Sequence, residues 1–118
     1  MITKNSFHAR AYFNDDKKRG YTPTHWFSYE GKYIGSFTIY EYDNTIWNLS
    51  IKEEYRNQGY GLLMVQDILV RFGYRPVYLY VENNNTVAMH LYQKVGFRVC
   101  GQCPWADASH MEWRRDFV

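Results

Sequence analysis

An α+β (mixed α/β) fold is predicted for the 118 residues, a largely antiparallel sheet with helices packed on its faces. Three observations predict it. The first half is a series of aromatic and β-branched runs separated by turn residues, the mark of an antiparallel meander. Near residue 61 the hydrophobic period changes to three and four, that of an amphipathic helix. The chain then alternates strand and helix, and a helical crossover from one strand to the next in the same sheet makes those two strands parallel.

The strands come first. "FHARAYF" (7–13) leads through a charged turn and Pro23 to "HWFSYE" (25–30). A Gly31-Lys32 turn, "YIGSFTIYEY" (33–42), an Asp43-Asn44 turn and "TIWNLSI" (45–51) follow. In residues 61–72, Leu62, Val65, Leu69 and Phe72 recur at helical spacing with Ile68 beside them, and Gly73 can stop the helix. Pro76 opens "VYLYV" (77–81), a short apolar strand of the type covered on both sides. A second helix is predicted from Asn85 to Lys94, with Val87, Leu91 and Val95 on one side and Gly96 as its stop. "FRVCG" (97–101) is a further strand, and the alternation in "HMEWRRDF" (110–117) predicts a last strand that closes the sheet.

Length and composition bound the function. The chain suits one domain with one core, 1–118. Apolar residues at 46% and charged residues at 22% are those of a globular protein, whereas 19% aromatics, twelve of them tyrosine, exceed what a core needs. Some rings are therefore expected to line a surface or groove. A net charge of +2 argues against a nucleic-acid partner, and Lys17, Lys18 and Arg19, after Asp15 and Asp16, read as a solvated turn. No apolar run approaches a membrane helix and "MITKNSFHAR" lacks a signal-peptide core, so no membrane partner and a cytoplasmic location are expected. Cys100 and Cys103 have redox-motif spacing, but Pro104 and the polar stretch after it offer no helix, and His110 is the one further zinc ligand nearby. No metal is expected.

The informative stretch is "EEYRNQGYGLLMVQDILVRFG" (53–73), where Gly59 and Gly61 stand at the mouth of a helix. A helix start offers unpaired N–H groups and a partial positive charge, which together favour phosphate. Glycines there let the backbone approach a phosphate oxygen, and Arg56 and Gln58 can add side-chain donors. The dinucleotide pattern is excluded because Met64 stands where its third glycine is required, and the P-loop is excluded because its Gly-Lys-Ser/Thr is missing.

Arg56-Asn57-Gln58-Gly59-Tyr60-Gly61 resembles the acetyl-CoA signature of the GNAT N-acetyltransferase superfamily, and "NTVAMHLYQKVGF" (85–97) resembles the family's second block at every named position. The resemblance covers residues 34–101 and implies a GNAT-like acyl-CoA N-acyltransferase fold in which strands 45–51 and 77–81 splay apart. It implies that the pantetheine arm of acetyl-CoA lies in the gap against the backbone of Leu49, Ser50 and Ile51. The pyrophosphate would then rest on the amides of Asn57, Gln58, Gly59, Tyr60, Gly61 and Leu62. Asn85 would hold the cofactor from the second helix, and Tyr92 would face its sulfur.

The implied reaction moves an acetyl group from a thioester to a primary amine. A backbone N–H freed by the splay, that of Ile51, would stabilise the developing oxyanion. On periodicity alone Tyr92 is a core or rim tyrosine; the resemblance makes it the general acid toward the thiolate. An ammonium near pKa about 10.4 must lose a proton before it attacks. The glutamate that serves as base in some relatives, five positions ahead of the asparagine, falls at Tyr80 here, so Glu82 on the same strand and Glu41 on the preceding antiparallel strand are the candidates. Holding the reactants together supplies much of the rate even without a dedicated base. Residues 14–24 are too few for the helices that wall the acceptor site in relatives. An open groove is therefore expected, suited to a protein acceptor or to closure by a second subunit as a homodimer, with Trp26, Trp47 and Trp105 available to line it. The same departures permit another reading, a GNAT-fold binding module that docks on a protein without turnover.

Overall fold

The computed structural model describes residues 7–13 and 21–117. Seven strands form one sheet in the order β1-β2-β3-β4-β5-β7-β6. They are β1 (Phe7–Phe13), β2 (Tyr21–Tyr29), β3 (Lys32–Tyr40), β4 (Thr45–Ile51), β5 (Val77–Glu82), β6 (Arg98–Gln102) and β7 (Ala108–Trp113). Helix α1 (Tyr60–Phe72) carries the chain from β4 to β5, and α2 (Thr86–Val95) carries it from β5 to β6. All neighbouring strands are antiparallel except β4 and β5. The charged turn at 15–19 lies outside the described residues.

Several boundaries differ from the sequence pattern, each because a partner strand or a turn overrides it. β2 begins at Tyr21, since β1 supplies a partner as far as Phe13↔Tyr21 and Pro23 sits opposite Ala11. The β2–β3 hairpin turns on Glu30 and Gly31, at φ 51° and 78°, one residue earlier than predicted. β3 stops at Tyr40, so Glu41 belongs to the turn and not to the strand. β7 ends at Trp113 and lies between β5 and β6, leaving β6 at the sheet edge. Beyond it Arg115–Phe117 curls into a 3-10 turn in which the guanidinium groups of Arg98 and Arg114 cover the Phe117 ring at 4.1 and 4.7 Å.

Both helices pack on the same face of the sheet, a correction to the expectation of cover on both faces. α1 buries Met64, Val65, Ile68 and Leu69 against Phe27, Ile34, Phe37 and Ile39. Each fully buried apolar side chain of this kind contributes about 2 kcal/mol. α2 turns Ala88, Leu91, Tyr92 and Val95 toward the same core, while Val87, predicted to point inward, is 79% exposed. The reason is the cap. The Asn85 carboxamide oxygen accepts from Ala88 N at 3.2 Å, which starts the helix at Thr86 and sets 88, 91, 92 and 95 as its inward row. Gly73 ends α1 at φ −80°, not in the left-handed region, and is required because a side chain there would strike the Trp113 ring.

One buried polar residue ties the sheet to α1. Asn44, only 2% exposed and at φ 56°, donates from Nδ2 to the carbonyls of Phe72 and Pro76, both at 3.0 Å. Its own carbonyl accepts from Tyr78 N at 3.1 Å. The turn before β4 is thereby fastened to the end of α1 and the start of β5.

Asn44→Ala strands two carbonyls in the interior and puts at a left-handed position a residue that tolerates it less well than asparagine. Urea denaturation should register a loss of about 3 kcal/mol, with Asn44→Gly losing less because the backbone cost is removed. His25 gives a second expectation. Its imidazole stacks on Phe37 at 5.0 Å, and burial first, then the charge of Arg71, lower its pKa from 6.5. The folded state then binds fewer protons than the unfolded chain. Stability should be complete above pH 6.5 and should fall as pH drops through the lowered folded value. In His25→Phe that part of the acid loss should vanish from a series of melting temperatures.

Candidate functional site

The site begins with the way β4 and β5 diverge. They are paired at one position, Thr45↔Tyr78, beside the Asn44 clamp, whereas β5 and β7 pair continuously from Val77↔Trp113 to Glu82↔Ala108. Two local features bend β4 away. Between Trp47 and Ser50 the register against β3 gains a residue, a bulge carried by Asn48 at φ 54°. Gly35, opposite Ile51, lies so close beneath β4 that any side chain there would overlap the Ser50 carbonyl oxygen. The gap therefore opens toward the C-terminal ends of both strands.

Backbone groups face into it. Lys52 N donates to Ile34 O at 2.8 Å, so by the alternation of an antiparallel ladder the Ile51 N–H turns from β3 toward the gap. The Ile51 carbonyl points the same way and accepts from Arg56 Nε at 3.0 Å. Leu49 is half-buried against the core and Ser50 is exposed.

The start of α1 stands at the mouth of the gap, after a 3-10 turn at Glu53–Tyr55. Among the described residues, the amides of residues 57–62 have no hydrogen-bond acceptor. Asn57 and Gly59 are left-handed, at φ 61° and 86°. The two glycines act differently. A β-carbon at Gly59 would meet nothing within 4 Å, so its surroundings are open. A β-carbon at Gly61 would stand in ordinary contact with Leu91, at 3.4 Å, so Gly61 faces α2. Gln58 Nε2 is tied to the Glu54 carbonyl at 2.9 Å, whereas Arg56 keeps its two terminal NH2 groups for other acceptors.

Tyr92 lies on the inward side of α2 with its ring edge-on to Phe97 at 5.8 Å, and burial raises its phenol pKa. Asn85 caps α2, which occupies its carboxamide oxygen and leaves the NH2 group outward. The two carboxylates are at opposite ends. Glu82 is exposed at the mouth, on the sheet face away from the helices, and Glu41 is exposed in the turn at the closed end. Glu41 is thus separated from Ile51 by the length of β4.

No described helix covers that second sheet face, where a row of rings crosses the strands. Tyr40, Trp47, Tyr80 and His110 follow one another at centroid distances of 6.0, 5.3 and 4.5 Å, and Trp105 from the β6–β7 loop leans on Tyr80 at 5.2 Å. Burial, then the neighbouring Cys103, Asp43 and Cys100, raise the Tyr80 pKa. The Tyr78 hydroxyl donates a hydrogen bond to Glu112 at 2.7 Å, and that bond is the main cause of its raised pKa. Trp26 lies on the same face against Tyr33, beyond the row. The loop bearing Trp105 is pinned by Asn83, whose amide donates to Asp107 O at 3.1 Å and whose Nδ2 donates to Gln102 and Asp107.

In the sequence Asn44 reads as a turn residue and His110 only as a zinc neighbour. Neither carries a motif, and both acquire partners only through the sheet register. Cys100 is exposed on β6 and Cys103 is buried just beyond it. Three residues of near-extended chain separate their α-carbons by about 10 Å, too far for a disulfide. Among the described residues no cluster of His, Cys, Asp or Glu could hold a metal ion, and no helix is long and apolar enough to cross a membrane, which says nothing of a β-barrel.

Residues 3–97 match the model of the acetyltransferase (GNAT) family. No curated protein sequence matches the chain. The spermidine N-acetyltransferase of Vibrio cholerae, solved with CoA and spermine, superposes with a TM-score of 0.69 at 18% identity over 80% of this chain and 66% of its own. The ribosomal-protein-S18-alanine N-acetyltransferase of Escherichia coli gives 0.63 at 19% identity over 77% and 67%. A GNAT family acetyltransferase from Elizabethkingia anophelis with acetyl-CoA bound gives 0.62 at 18% over 92% and 96%. These likenesses establish the GNAT fold. The chain spans about two thirds of the length of the first two.

Amide exchange followed by NMR tests the geometry of the gap. Ile51 should exchange much faster than its neighbour Lys52 despite lying within a strand, and the amides of residues 57–62 should exchange as fast as Ile51.

Proposed function

The chain belongs to the acetyltransferase (GNAT) family, and we propose that it transfers an acetyl group from acetyl-CoA to a primary amine. One observation carries this reading: β4 and β5 part beside a helix start whose amides at 57–62 have no acceptor. The residues present fit the donor. The amides of Asn57, Gln58, Gly59, Tyr60, Gly61 and Leu62, with the helix dipole and the Arg56 NH2 groups, suit a pyrophosphate. The outward face of β4 at Leu49, Ser50 and Ile51 suits the pantetheine arm, whose amides would continue the ladder. The Asn85 NH2 group is available to the same ligand.

When bound, acetyl-CoA supplies an activated acetyl carbonyl and a thiol leaving group. The chain's own groups do the rest. The Ile51 N–H is fixed in the gap before any ligand arrives, so it can bond a developing oxyanion without reorganisation. The Tyr92 phenol, its pKa raised further by burial, is protonated in the neutral range, which suits a donor to a departing thiolate. Of the two carboxylates, Glu82 at the mouth is the better placed to attract an ammonium to the reaction.

The acceptor is read more coarsely. The neighbours' names specify spermidine and a ribosomal-protein alanine, and both belong to those proteins. The uncovered sheet face here is broad, which favours a protein side chain or chain terminus, or closure by a second copy. Both cysteines are free, which suits the reducing interior of a cell.

Gly59→Asp tests the donor site, with Gly59→Asn as its control. Both residues tolerate the left-handed conformation, but only aspartate sets a negative charge against the amides. Calorimetry should show acetyl-CoA affinity falling at least ten-fold in the first and much less in the second. Equal affinities would remove the pyrophosphate assignment. Tyr92→Phe should slow thiol release about a hundred-fold with binding retained. Binding without turnover, indifferent to that change, would instead identify a docking module.

A further inference from the structure

The geometry points to His110 as the group that takes the proton from the acceptor ammonium, an assignment that rests on the acetyl transfer proposed above. Neither carboxylate is held where proton removal requires it. Glu41 stands at the closed end of the gap, and the exposed Glu82 carboxylate has no hydrogen bond or ion pair among the described residues. His110, by contrast, is fixed. It sits directly opposite Tyr80 in the β5–β7 ladder, and the two rings stack at 4.5 Å and 14°. Tyr80 reaches Trp47 on the other border of the gap at 5.3 Å, so the row of rings runs from the parted strands to the imidazole.

The Tyr80 and His110 rings are stacked, and both are partly exposed on this face of the sheet. Among the described residues, neither His110 nitrogen has a hydrogen-bond partner or is buried without one, so both remain available. The groups facing the ring are Tyr78 and Tyr80 from β5, Cys100 from β6, whose thiol bonds the His110 carbonyl, and Glu112 on its own strand, already bonded by Tyr78. Both tyrosines hold their protons more tightly than usual. That leaves the imidazole as the proton acceptor on this face. Of the other histidines whose side chains are described, His25 is enclosed by Phe37 and Phe72 on the helix side, and His90 is exposed on α2.

The step balances. The imidazole takes one N–H proton from the ammonium directly or through a water, and the freed lone pair forms the C–N bond as the C–S bond breaks. Tyr92 gives its proton to the thiolate and recovers one from the nitrogen that has become an amide. His110 returns its proton to solvent, so each turnover converts ammonium and thioester into amide, thiol and one released proton.

His110→Phe keeps the stacked ring and removes the proton acceptor, and His110→Gln is the polar companion. Two nucleophiles separate proton removal from everything else: ethylamine, an ammonium at pH 7, and hydroxylamine, whose nitrogen is largely unprotonated there. With acetyl-CoA affinity within two-fold of the parent by calorimetry, thiol release with ethylamine should fall about a hundred-fold in both variants. The rate with hydroxylamine should stay within a few-fold. Apart from turnover, adding ethylamine to protein saturated with a non-transferable thioether analogue should shift the His110 ring resonances in an NMR spectrum and leave those of His90 in place. A parallel fall for both nucleophiles, an unchanged ethylamine rate, or unmoved His110 resonances would overturn the assignment. Failure of the parent protein to bind acetyl-CoA would instead sink the donor reading itself.

Discussion

The sheet is held together at one end of its parallel pair, and the rest of the molecule follows from that. Asn44 is buried because its amide satisfies two carbonyls where α1 stops and β5 begins, and its own carbonyl accepts from Tyr78 N on β5. An uncompensated carbonyl in that position would cost as much as several surface contacts together. Three elements are thus fastened at a point. Away from it, nothing compels β4 to follow β5, and the Asn48 bulge and the bare backbone of Gly35 steer it toward β3 instead. A clamp at one end and a bend near the other make a wedge-shaped opening out of two ordinary strands.

Among the described residues, helices do not flank that opening on both faces. Instead α1 and α2 share one face and one core, and the right-handed crossovers that carry β4 to β5 and β5 to β6 put them there. The helix starts consequently gather at the same end as the opening, because each follows the C-terminal end of a strand. Unsatisfied amides, a helix dipole and a gap with exposed backbone meet in one place without any residue being buried at a loss. The opposite face is left to aromatic side chains, which pack on one another across the strands, with the Trp47 indole N–H buried among them and Tyr80 and His110 partly exposed.

The two faces explain why the excess of tyrosine and tryptophan coexists with a compact apolar core. Tyr78, Tyr80 and His110 alternate with Val77, Leu79, Val81 and Met111 along their strands, so the same period that buries one set presents the other. The proposed chemistry uses this division, with the thioester held by backbone from β4 and α1 and the amine met by the ring row. Burial raises the pKa of both Tyr92 on the helix side and Tyr80 on the ring row.

The sequence by itself determined the order of elements, the crossover that makes β4 and β5 parallel, and the helix start with its two glycines. These are local or periodic properties: turn residues, a change of period and a short motif act over a few positions, and no distant partner can reverse them. Tertiary structure decided the ends of β2, β3 and β7, the inward row of α2, and the separate roles of Gly59 and Gly61, since each depends on a neighbour far away in the chain. It also decided the importance of Asn44 and His110. A polar side chain becomes an anchor or a proton acceptor only when the fold brings it partners or denies it them, and 28 or more residues separate Asn44 from the carbonyls it binds.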